Sequence, residues 1–591
     1  MTFNHNFCIM YTLIMATLHK RTCRGHQYWS IVESRRVNGK PRPVILEYLG
    51  TAEHLLQRLA TGVPQTVKSY QHGLVAVMLE IAAELQIVPF INKYIKERQV
   101  RDDFTVGGSL LLAALGRIVQ PTSKRHWYAG WAQDSSLAYL IGQPVHKLDS
   151  QHFWDQMDCL PVAAIPAIEQ AILRQLQKKE DLTLDTLFYD TTNFFTYIDS
   201  TNSHCPLAQR GHNKQKRHDL RQLGLMLVVT RQDGLPLFHQ VYPGNEADKT
   251  RFATHFKKIM QRLKRLAGTL DRLTLVFDQG NNSKQVLGQV VEHGYFVGAL
   301  SPSQHRQLIE QANTTLQPVS VNPATTLNAY RTRQTIWQQD LTVVVYVSET
   351  LRAGQIRGVE QQLTKLWQQL TTLQTKIATP TQRGAPRTLS RLESQIKTLI
   401  QTAKVPRQLV DWELTPGVNN SFQLTFARNQ ARWTELTEHW YGRRILMTNR
   451  HDWSTADIIR AYWGQHHVEA AFKNMKNPFH LSLRPQFHWT DQKVTVHGFI
   501  CFLAFLLGMV AFKRARERAQ FTGGPPTLFE KLNSIRLATR VQTATTTKKT
   551  ATFQTCYQLE VMEPDVAALA QAFGLTDAKI KKSKIPFSVY I

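Results

Sequence analysis

Three carboxylate residues occur where a folded chain could bring them together. Asp190 follows the apolar run "LTLDTLFY", Asp278 follows "LTLVF", and Glu469 lies within "YWGQHHVEAAFKNMK". Clustered carboxylates repel one another unless cations neutralise them, and ligand sets made only of oxygen suit Mg²⁺ or Mn²⁺ rather than zinc. Two such ions about 4 Å apart activate a water or a 3′-hydroxyl and stabilise the leaving oxygen in phosphoryl transfer. The three acids therefore predict a two-metal site for that chemistry.

A helix is predicted to carry Glu469. Ser454 followed by Asp457 forms a capping box that would open this helix. The residues that follow recur at spacings of 4, 3, 4, 3 and 4, which places them on one helical face: Ile458, Tyr462, Gln465, Glu469, Phe472 and Lys476. A charged side chain on an inward stripe is costly unless it is paired or bound to a metal. We therefore expect one long helix with Glu469 facing inward, towards the aspartates.

The segments around the aspartates follow the order three strands, helix, strand, helix, strand. The strands are "LTLDTLFYDTT", the pair in "LGLMLVVTRQDGLPLFHQVYPGN", "LTLVFDQG" and "YFVGAL", with helices near 249–266 and 283–293. This order matches the ribonuclease H fold, in which the first and fourth strands are parallel neighbours, so Asp190 and Asp278 would meet at strand ends. A lone Asp at a strand end is more often a turn former or helix cap. The prediction therefore depends on all three acids occurring in this order.

The predicted fold class is an α/β catalytic core of ribonuclease H-like fold, a mixed five-stranded sheet with helices. An insertion domain interrupts this core, and a mainly helical N-terminal domain precedes it. In the insertion, Val359, Leu363, Leu366, Leu370, Leu373 and Ile377 form a heptad seam that Leu389, Leu392, Ile396 and Leu399 resume, which predicts a helical hairpin. The predicted boundaries are an N-terminal β-hairpin region (1–60), a helical DNA-binding domain (61–165), the core (166–304 and 441–518), the insertion (305–440) and a C-terminal tail (519–591).

The charge of the chain indicates a polyanionic partner. Its 71 Lys and Arg residues against 44 Asp and Glu give a net charge of +27, which favours nucleic acid or an anionic membrane. The basic residues are spread along the chain, which favours nucleic acid. The apolar run "FICFLAFLLGMVAF" (499–512) is shorter than the roughly 20 residues needed to span a bilayer, so we expect a buried core helix and no membrane partner. Six cysteines without CxxC spacing predict reduced thiols in a cytosolic protein.

Four motifs resemble those of the DDE transposases of bacterial insertion sequences: "FYDTTNFF", "GLPLFHQVYPGNEAD", "LVFDQGN" and "YWGQHHVEAAFKNMK". The resemblance covers about residues 30–515 and extends to the branch with a Tyr-x2-Arg-x3-Glu-x6-Lys signature. Tyr462, Glu469 and Lys476 match that signature at its spacing, and Gln465 stands where the family has Arg. Because glutamine brings no charge, a phosphate contact at this position is weaker than the family pattern implies.

The resemblance implies roles for these residues and for the chain. Asp190, Asp278 and Glu469 would be the catalytic residues and the ligands of two Mg²⁺ or Mn²⁺ ions, and Lys476 would contact transposon-end DNA. The partners would be double-stranded inverted repeats and target DNA, bound by a homodimer in a synaptic complex, in a cytoplasmic, nucleoid-associated protein. Two alternatives remain open: a ribonuclease H-like nuclease or resolvase, and a domesticated DNA-binding protein.

Further DNA contacts are predicted from basic and aromatic residues. The stretch "RGHNKQKRHDLRQ" (210–222) is either a solvated loop or, beside Asp190, a track for phosphates; Lys214 and Arg217 are the predicted contacts. Tyr462, Gln465 and Lys476 complete the predicted DNA-binding set. Trp337, Trp463 and Trp489 could stack on an extruded base, although packing in the core or at an interface is the favoured interpretation for each.

Overall fold

The computed structural model describes residues 16–23, 25–37, 40–60, 66–96, 100–213, 215–246, 248–281, 284–379, 387–418, 421–544 and 552–577. These residues form two compact units. The larger unit comprises Val77–Trp131 and His146–Phe529, and the smaller unit comprises the described parts of Met1–Ala76, Ala132–Val145 and Glu530–Phe587.

A nine-stranded mixed sheet runs through the larger unit. In chain order its strands are β1 (Thr186–Thr196), β2 (Arg221–Thr230), β3 (Pro236–Pro243), β4 (Thr274–Phe277), β5 (Tyr295–Leu300), β6 (Gln317–Asn322), β7 (Thr325–Ile336), β8 (Gln339–Val347) and β9 (Arg443–Thr448). Their order across the sheet is β6-β7-β8-β9-β5-β4-β1-β2-β3. The chain is therefore a mixed α/β protein with a large mixed sheet.

The first five strands have the arrangement predicted from the sequence. β1 is parallel to β4, and β4 is parallel to β5. β2 pairs antiparallel with β1 and with β3, and the Gly234 turn between β2 and β3 has a positive φ of 63°. The prediction that the first and fourth strands are parallel neighbours is confirmed.

The prediction of a five-stranded sheet is wrong, because the sheet continues through β9 into the predicted insertion. β9 pairs antiparallel with both β5 and β8, so that Thr448 lies opposite Val297 on one side and Thr342 on the other. β8 is the run "LTVVVYVSE", and its apolar residues are buried. A strand buried on both faces needs neighbours and cover on both sides, which this position inside the sheet provides.

The remainder of the insertion is a helical hairpin packed on a β-hairpin. Helices α5 (Glu349–Ala378) and α6 (Leu389–Thr402) pack with strands Val410–Pro416 and Phe422–Arg428. The predicted seam of α5 is confirmed from Leu363 to Ile377, whose seam residues are buried, while Val359 at its start is partly buried. In α6 the buried residues are Leu392, Ile396 and Ile400. Leu389 begins this helix and is exposed, which corrects the predicted seam at that end.

The other main helices of the larger unit surround the sheet. They are α1 (Val106–Val119), α2 (Ile165–Lys179), α3 (Asp248–Ala267), α4 (Lys284–His293), α7 (Thr455–Trp463), α8 (His466–Lys476) and α9 (Asp491–Ala519). Shorter helices span Ile87–Asn92, Trp127–Gly130, Ser150–Asp158, Arg306–Thr315 and Gln430–Glu435, and Val100–Arg101 pairs with Phe104–Thr105.

α9 contains the apolar run 499–512. It is long and apolar enough to cross a bilayer, but 94% of its most apolar window is buried inside the protein. The prediction of a buried core helix is confirmed. Near its carboxyl end, Arg514 donates to the carboxylates of Glu180 and Glu84. These ion pairs satisfy a charge that burial would otherwise make costly.

The smaller unit contains two antiparallel three-stranded sheets. The first has strands Ala16–Cys23, His26–Val37 and Lys40–Thr51, followed by helix Ala52–Ala60. The hairpin predicted around Asn38-Gly39 is confirmed by the pairing of its strands, while its turn residues lie outside the described residues. The second sheet pairs Arg536–Ala544 with Thr66–Gln71 and with Thr552–Leu559.

Residues 525–544 and 552–577 contain regular strands and helices, which corrects the prediction of a weakly patterned tail over this part of the chain. Besides its two strands, this region contains helices Pro525–Asn533 and Pro564–Ala572. Helices Gly73–Glu84 and Leu137–Ile141 complete the main elements of the chain. The described cysteines, which are Cys23, Cys159, Cys205, Cys501 and Cys556, all carry free thiols, as predicted.

Candidate active site

Asp190 and Asp278 lie side by side on neighbouring parallel strands. In the pairing of β1 with β4, Tyr189 lies opposite Phe277, so the next residue of each strand is one of the two aspartates. Neighbouring strands are about 4.8 Å apart. Asp190 is half-buried and Asp278, just beyond the end of β4, is exposed. The structure therefore places these two predicted site residues next to each other on two central strands of the sheet.

The segment that carries Glu469 is two helices, so the prediction of one continuous helix is wrong. α7 ends at Trp463 and α8 begins at His466, with Gly464 and Gln465 forming a turn between them. The capping box of Ser454 and Asp457 at the start of α7 is confirmed. Gly464 packs against the Phe188 ring so closely that a Cβ there would lie 2.2 Å from it. Glycine is therefore required at the turn for α8 to reach the sheet.

α8 lies along one face of β1. The His467 ring stacks on Phe188 at 5.8 Å, and Lys476 Nζ donates to Thr192 Oγ1 at 2.6 Å. Lys476 also lies 5.3 Å from the centre of the Phe194 ring. Side chains two residues apart on a strand share a face, so Asp190 belongs to the same face of β1. The Glu469 helix therefore crosses the face that carries Asp190.

The expectation that Glu469 faces inward is wrong, because its side chain is exposed. The buried residues of α8 are Val468, Ala471, Phe472 and Met475. These have the i, i+3, i+4, i+7 spacing of a packed face, and that face begins one residue before Glu469. The turn at Gly464 and Gln465 also separates the stripe of α7 from that of α8. Glu469 consequently borders the packed face and is open to solvent.

Tyr462 connects α7 to the second aspartate. Its hydroxyl donates to Asp278 Oδ1 at 3.1 Å, and its side chain is only 5% exposed. Burial raises the pKa of Tyr462 above its ordinary value, and the negative charge of Asp278 adds to this effect. The hydroxyl therefore remains protonated at neutral and mildly alkaline pH and holds one carboxylate oxygen in place. Sequence spacing placed Tyr462 on the stripe of Glu469, but no sequence signal identified Asp278 as its partner.

The donor set fits hard divalent cations. Asp190 and Asp278 lie level with each other on β1 and just beyond β4, and Glu469 is an exposed carboxylate on the neighbouring helix α8. Such oxygen donors suit Mg²⁺ or Mn²⁺. Within the described ranges, no three His, Cys, Asp or Glu side chains lie close enough together to hold one metal ion. The aspartate pair is thus the assembled part of the candidate site, and Glu469 has to approach it to complete a triad.

Of the residues predicted to contact DNA phosphates, Arg217 is already paired with an acidic side chain. Arg217 forms a two-point hydrogen-bonded pair with Asp219, at 2.8 Å and 2.7 Å. This hydrogen bonding lowers the pKa of Asp219 to about 2. A phosphate that binds Arg217 must therefore compete with a carboxylate. Lys214 lies outside the described residues. Gln465 is half-buried in the turn between α7 and α8, and its predicted DNA contact stays a prediction.

The three tryptophans considered for base stacking differ in the exposure and contacts of their rings. Trp463 donates through Nε1 to the hydroxyl of Tyr346 at 3.3 Å, in agreement with a packing role. Trp337 lies with Gln338 in the tight turn between β7 and β8, where both residues have positive φ. Trp489 is exposed, with its ring edge-on to His204 at 5.6 Å. Of the three, only Trp489 presents a largely open ring.

Replacing Lys476 by alanine tests whether this lysine binds a phosphate. The structure places its ammonium group beside Thr192, two residues from Asp190 and at the edge of the candidate site. If Lys476 neutralises one phosphate, the slope of log affinity against log salt should become shallower by about 0.9 in the variant. The measurement is the affinity for DNA at several salt concentrations. Gln465→Arg adds a positive charge, so it should make the same slope steeper by a similar amount.

Lys473→Ala is the matched control, because Lys473 is an exposed lysine on the same helix and, unlike Lys476, is not hydrogen-bonded to Thr192. An unchanged slope for Lys476→Ala would mean that Lys476 is only a solvated helix residue. Loss of folding in Gln465→Arg would mean that the turn between α7 and α8 cannot accept a longer side chain.

No protein-family model matches the sequence, and no curated protein sequence matches it. Among solved structures, the chain is similar to the one described as the cryo-EM structure of a piggyBac transposase synaptic complex with hairpin DNA. The TM-score is 0.37 at 9% identity, over 77% of this chain and 79% of that chain.

Proposed function

We propose that this protein is a DDE transposase that cleaves DNA at the terminal inverted repeats of an insertion sequence and joins the freed ends to target DNA. The observation that carries the proposal is the placement of Asp190 and Asp278 level with each other on parallel strands, with the Glu469 helix lying across the same face. The net charge of +27 supports a nucleic-acid substrate. The motifs of the bacterial insertion-sequence branch occur at these same residues.

The chain's own residues have distinct parts in the proposed reaction. Asp190 and Asp278, with Glu469 from α8, would hold two divalent cations. When bound, these ions supply activation of a water or 3′-hydroxyl and stabilisation of the leaving oxygen. Tyr462 orients the Asp278 carboxylate through its hydrogen bond. Lys476 binds a phosphate beside the scissile one and thereby fixes the position of the strand.

Glu469 would join the site through movement of α8. This helix is joined to α7 by the short turn at Gly464 and Gln465, and its polar edge is open to solvent. Lys476 of the same helix already contacts β1, so a phosphate bound there would lie close to the helix edge that carries Glu469. The sheet would thus hold the two aspartates, and α8 would supply the glutamate.

The experiment that tests the function is cleavage of a DNA duplex that carries the inverted repeats of the flanking element. With Mg²⁺ present, we expect nicks at the repeat ends that leave 3′-hydroxyl groups, and joining of those ends to a second duplex. Cleavage without end preference or joining would instead identify a ribonuclease H-like nuclease or resolvase. Specific binding with no cleavage in Mg²⁺ or Mn²⁺ would identify a DNA-binding protein that has lost the activity.

A further inference from the structure

A cavity of about 520 Å³ opens in the larger unit where the loop between α8 and α9 meets the segment that follows α1. This volume lies within the roughly 300–1,000 Å³ typical of small-ligand sites. Its lining contains two classes of side chain that are useful for binding. The cationic or ionisable ones are Arg117, Lys124, Arg125, His126 and His488, and the lining includes no Asp or Glu among the described residues.

One wall of the cavity carries positive charge that no Asp or Glu among the described lining residues neutralises. Arg117 is only 6% exposed, and its guanidinium donates to the backbone carbonyls of Arg484 (3.0 Å), Ser482 and Thr122. These carbonyls hold the guanidinium in place but leave its charge uncompensated. A buried charge without a counter-charge is costly, so this wall favours an anion.

Lys124 and His488 add to the same wall. Lys124 Nζ lies 3.1 Å from His488 Nε2. Burial, with a contribution from the Arg117 cation, lowers the pKa of Lys124 to about 7. His488 is buried, and its Nδ1 has no hydrogen-bond partner in the described part of the chain. The wall therefore has an ammonium group that an anion would keep protonated and a histidine nitrogen without a partner.

Two aromatic rings also line the cavity. Phe487 is 63% exposed, and Trp154 is half-buried. A large exposed apolar ring next to cations is the combination used to stack nucleobases while the cations bind phosphate, and stacking strengthens binding by roughly 5- to 150-fold per base. The apolar ring of Phe487 would therefore suit a nucleobase, and the cationic wall would suit the phosphate attached to the same nucleoside.

We propose that this cavity binds a nucleoside monophosphate unit, with its phosphate at Lys124, Arg117 and His488 and its base against Phe487. The unit is either a free nucleotide or one residue of an unpaired DNA strand, since both present the same chemistry. The proposal does not depend on the carboxylate site. It adds a second nucleotide-binding site to the chain, on the loop that directly follows the Glu469 helix.

The test measures fluorescence of 2-aminopurine with the full-length protein and no divalent metal. The probes are 2-aminopurine deoxynucleoside 5′-monophosphate, the same nucleoside without phosphate, and a single-stranded oligonucleotide containing one 2-aminopurine. We expect quenching by stacking, and a 5- to 150-fold weaker affinity in Phe487→Ala. Arg125→Ala and Lys124→Gln should weaken both phosphate-bearing probes more than the nucleoside. Saturable binding of the monophosphate indicates a free nucleotide, whereas binding of the oligonucleotide alone indicates a DNA strand.

Matched controls are available in the same unit. Phe479→Ala removes a ring from the same loop that is 73% exposed and does not line the cavity, and Lys178→Gln removes a surface charge from α2. Both should bind as the unmodified protein does. Asp190→Asn should also keep full quenching, so a failed carboxylate site would not be mistaken for a failed cavity. Equal quenching in Phe487→Ala and Phe479→Ala would overturn the proposal, as would competition by inorganic phosphate as strong as that by the nucleotide.

Discussion

Replacing Asp190 or Asp278 by asparagine is expected to reduce metal-dependent DNA cleavage by more than about 100-fold. The loss of a group that merely supports a metal ligand typically costs 10- to 100-fold in metal affinity or activity, so the loss of a ligand should cost more. Asparagine keeps the shape of the side chain but removes the negative charge that a divalent cation needs. Binding of repeat DNA should persist, because the positive charge that attracts DNA is spread along the chain.

Single-turnover cleavage at fixed Mg²⁺, together with a binding measurement on the same DNA, separates the two effects. Asp340→Asn is the control, because Asp340 is an exposed carboxylate in the same sheet that pairs with Arg333. It should cleave at the rate of the unmodified protein. An Asp278→Asn variant that cleaves as fast as this control would remove Asp278 from the metal site.

Glu469→Gln tests whether Glu469 acts as the third metal ligand, because in the structure its side chain is exposed and is not clustered with the two aspartates. If α8 moves during the reaction, this variant should lose cleavage as completely as the aspartate variants. If Glu469 stays at the solvent-exposed edge of α8, cleavage should fall by much less. The comparison of the three variants thus tests both the triad and the proposed movement.

The aspartate pair could be predicted from the sequence because each strand has a local apolar pattern and the order of elements matches a known topology. Apolar runs ending in Asp190 and Asp278 identify two strands, and the element order between them makes the strands parallel neighbours. Once the strands are in register, the position of each carboxylate follows from the alternation of side chains. The pairing of β1 with β4 joins residues far apart in sequence, and it was predictable only because the element order indicated the topology.

The position of Glu469 could not be predicted in the same way. The 4-3-4-3-4 spacing describes an ideal helix, whereas the chain turns at Gly464, where α8 meets the Phe188 ring. That contact joins residues far apart in sequence, and it decides which face of α8 is buried. The spacing therefore predicted helix around Glu469, but it assigned the side chain to the buried face, whereas the side chain is exposed.

The number of strands in the sheet was predicted wrongly because it also depends on contacts between distant parts of the chain. The strand character of "LTVVVYVSE" is visible in the sequence, but its partner β9 lies about a hundred residues further along the chain. Pairing over such a separation is set by burial of both faces rather than by local turn chemistry. The helical hairpin α5–α6, by contrast, depends on local heptad spacing, and there the prediction was largely correct.

Replacing Tyr462 by phenylalanine should raise the Mg²⁺ concentration needed for cleavage by about 10- to 100-fold, the range found when a group that orients a metal ligand is lost. The ring keeps its buried position, and only the hydroxyl that donates to Asp278 Oδ1 is removed. Because Tyr462 orients a ligand and does not itself bind metal, saturating Mg²⁺ should restore most of the cleavage rate. An aspartate variant would not recover in this way.

The measurement is cleavage rate against Mg²⁺ concentration for the unmodified protein, Tyr462→Phe and a control. Tyr346→Phe is the matched control, since it also removes a buried tyrosine hydroxyl, the one that accepts from Trp463, and makes no contact with Asp278 among the described contacts. Its metal dependence should equal that of the unmodified protein. Identical curves for the two variants would mean that the Tyr462 hydroxyl contributes packing alone and that Asp278 is oriented by its strand. A higher Mg²⁺ requirement in Tyr462→Phe alone would show that α7 orients Asp278 through the hydrogen bond from the Tyr462 hydroxyl. The sequence spacing did not reveal this hydrogen bond.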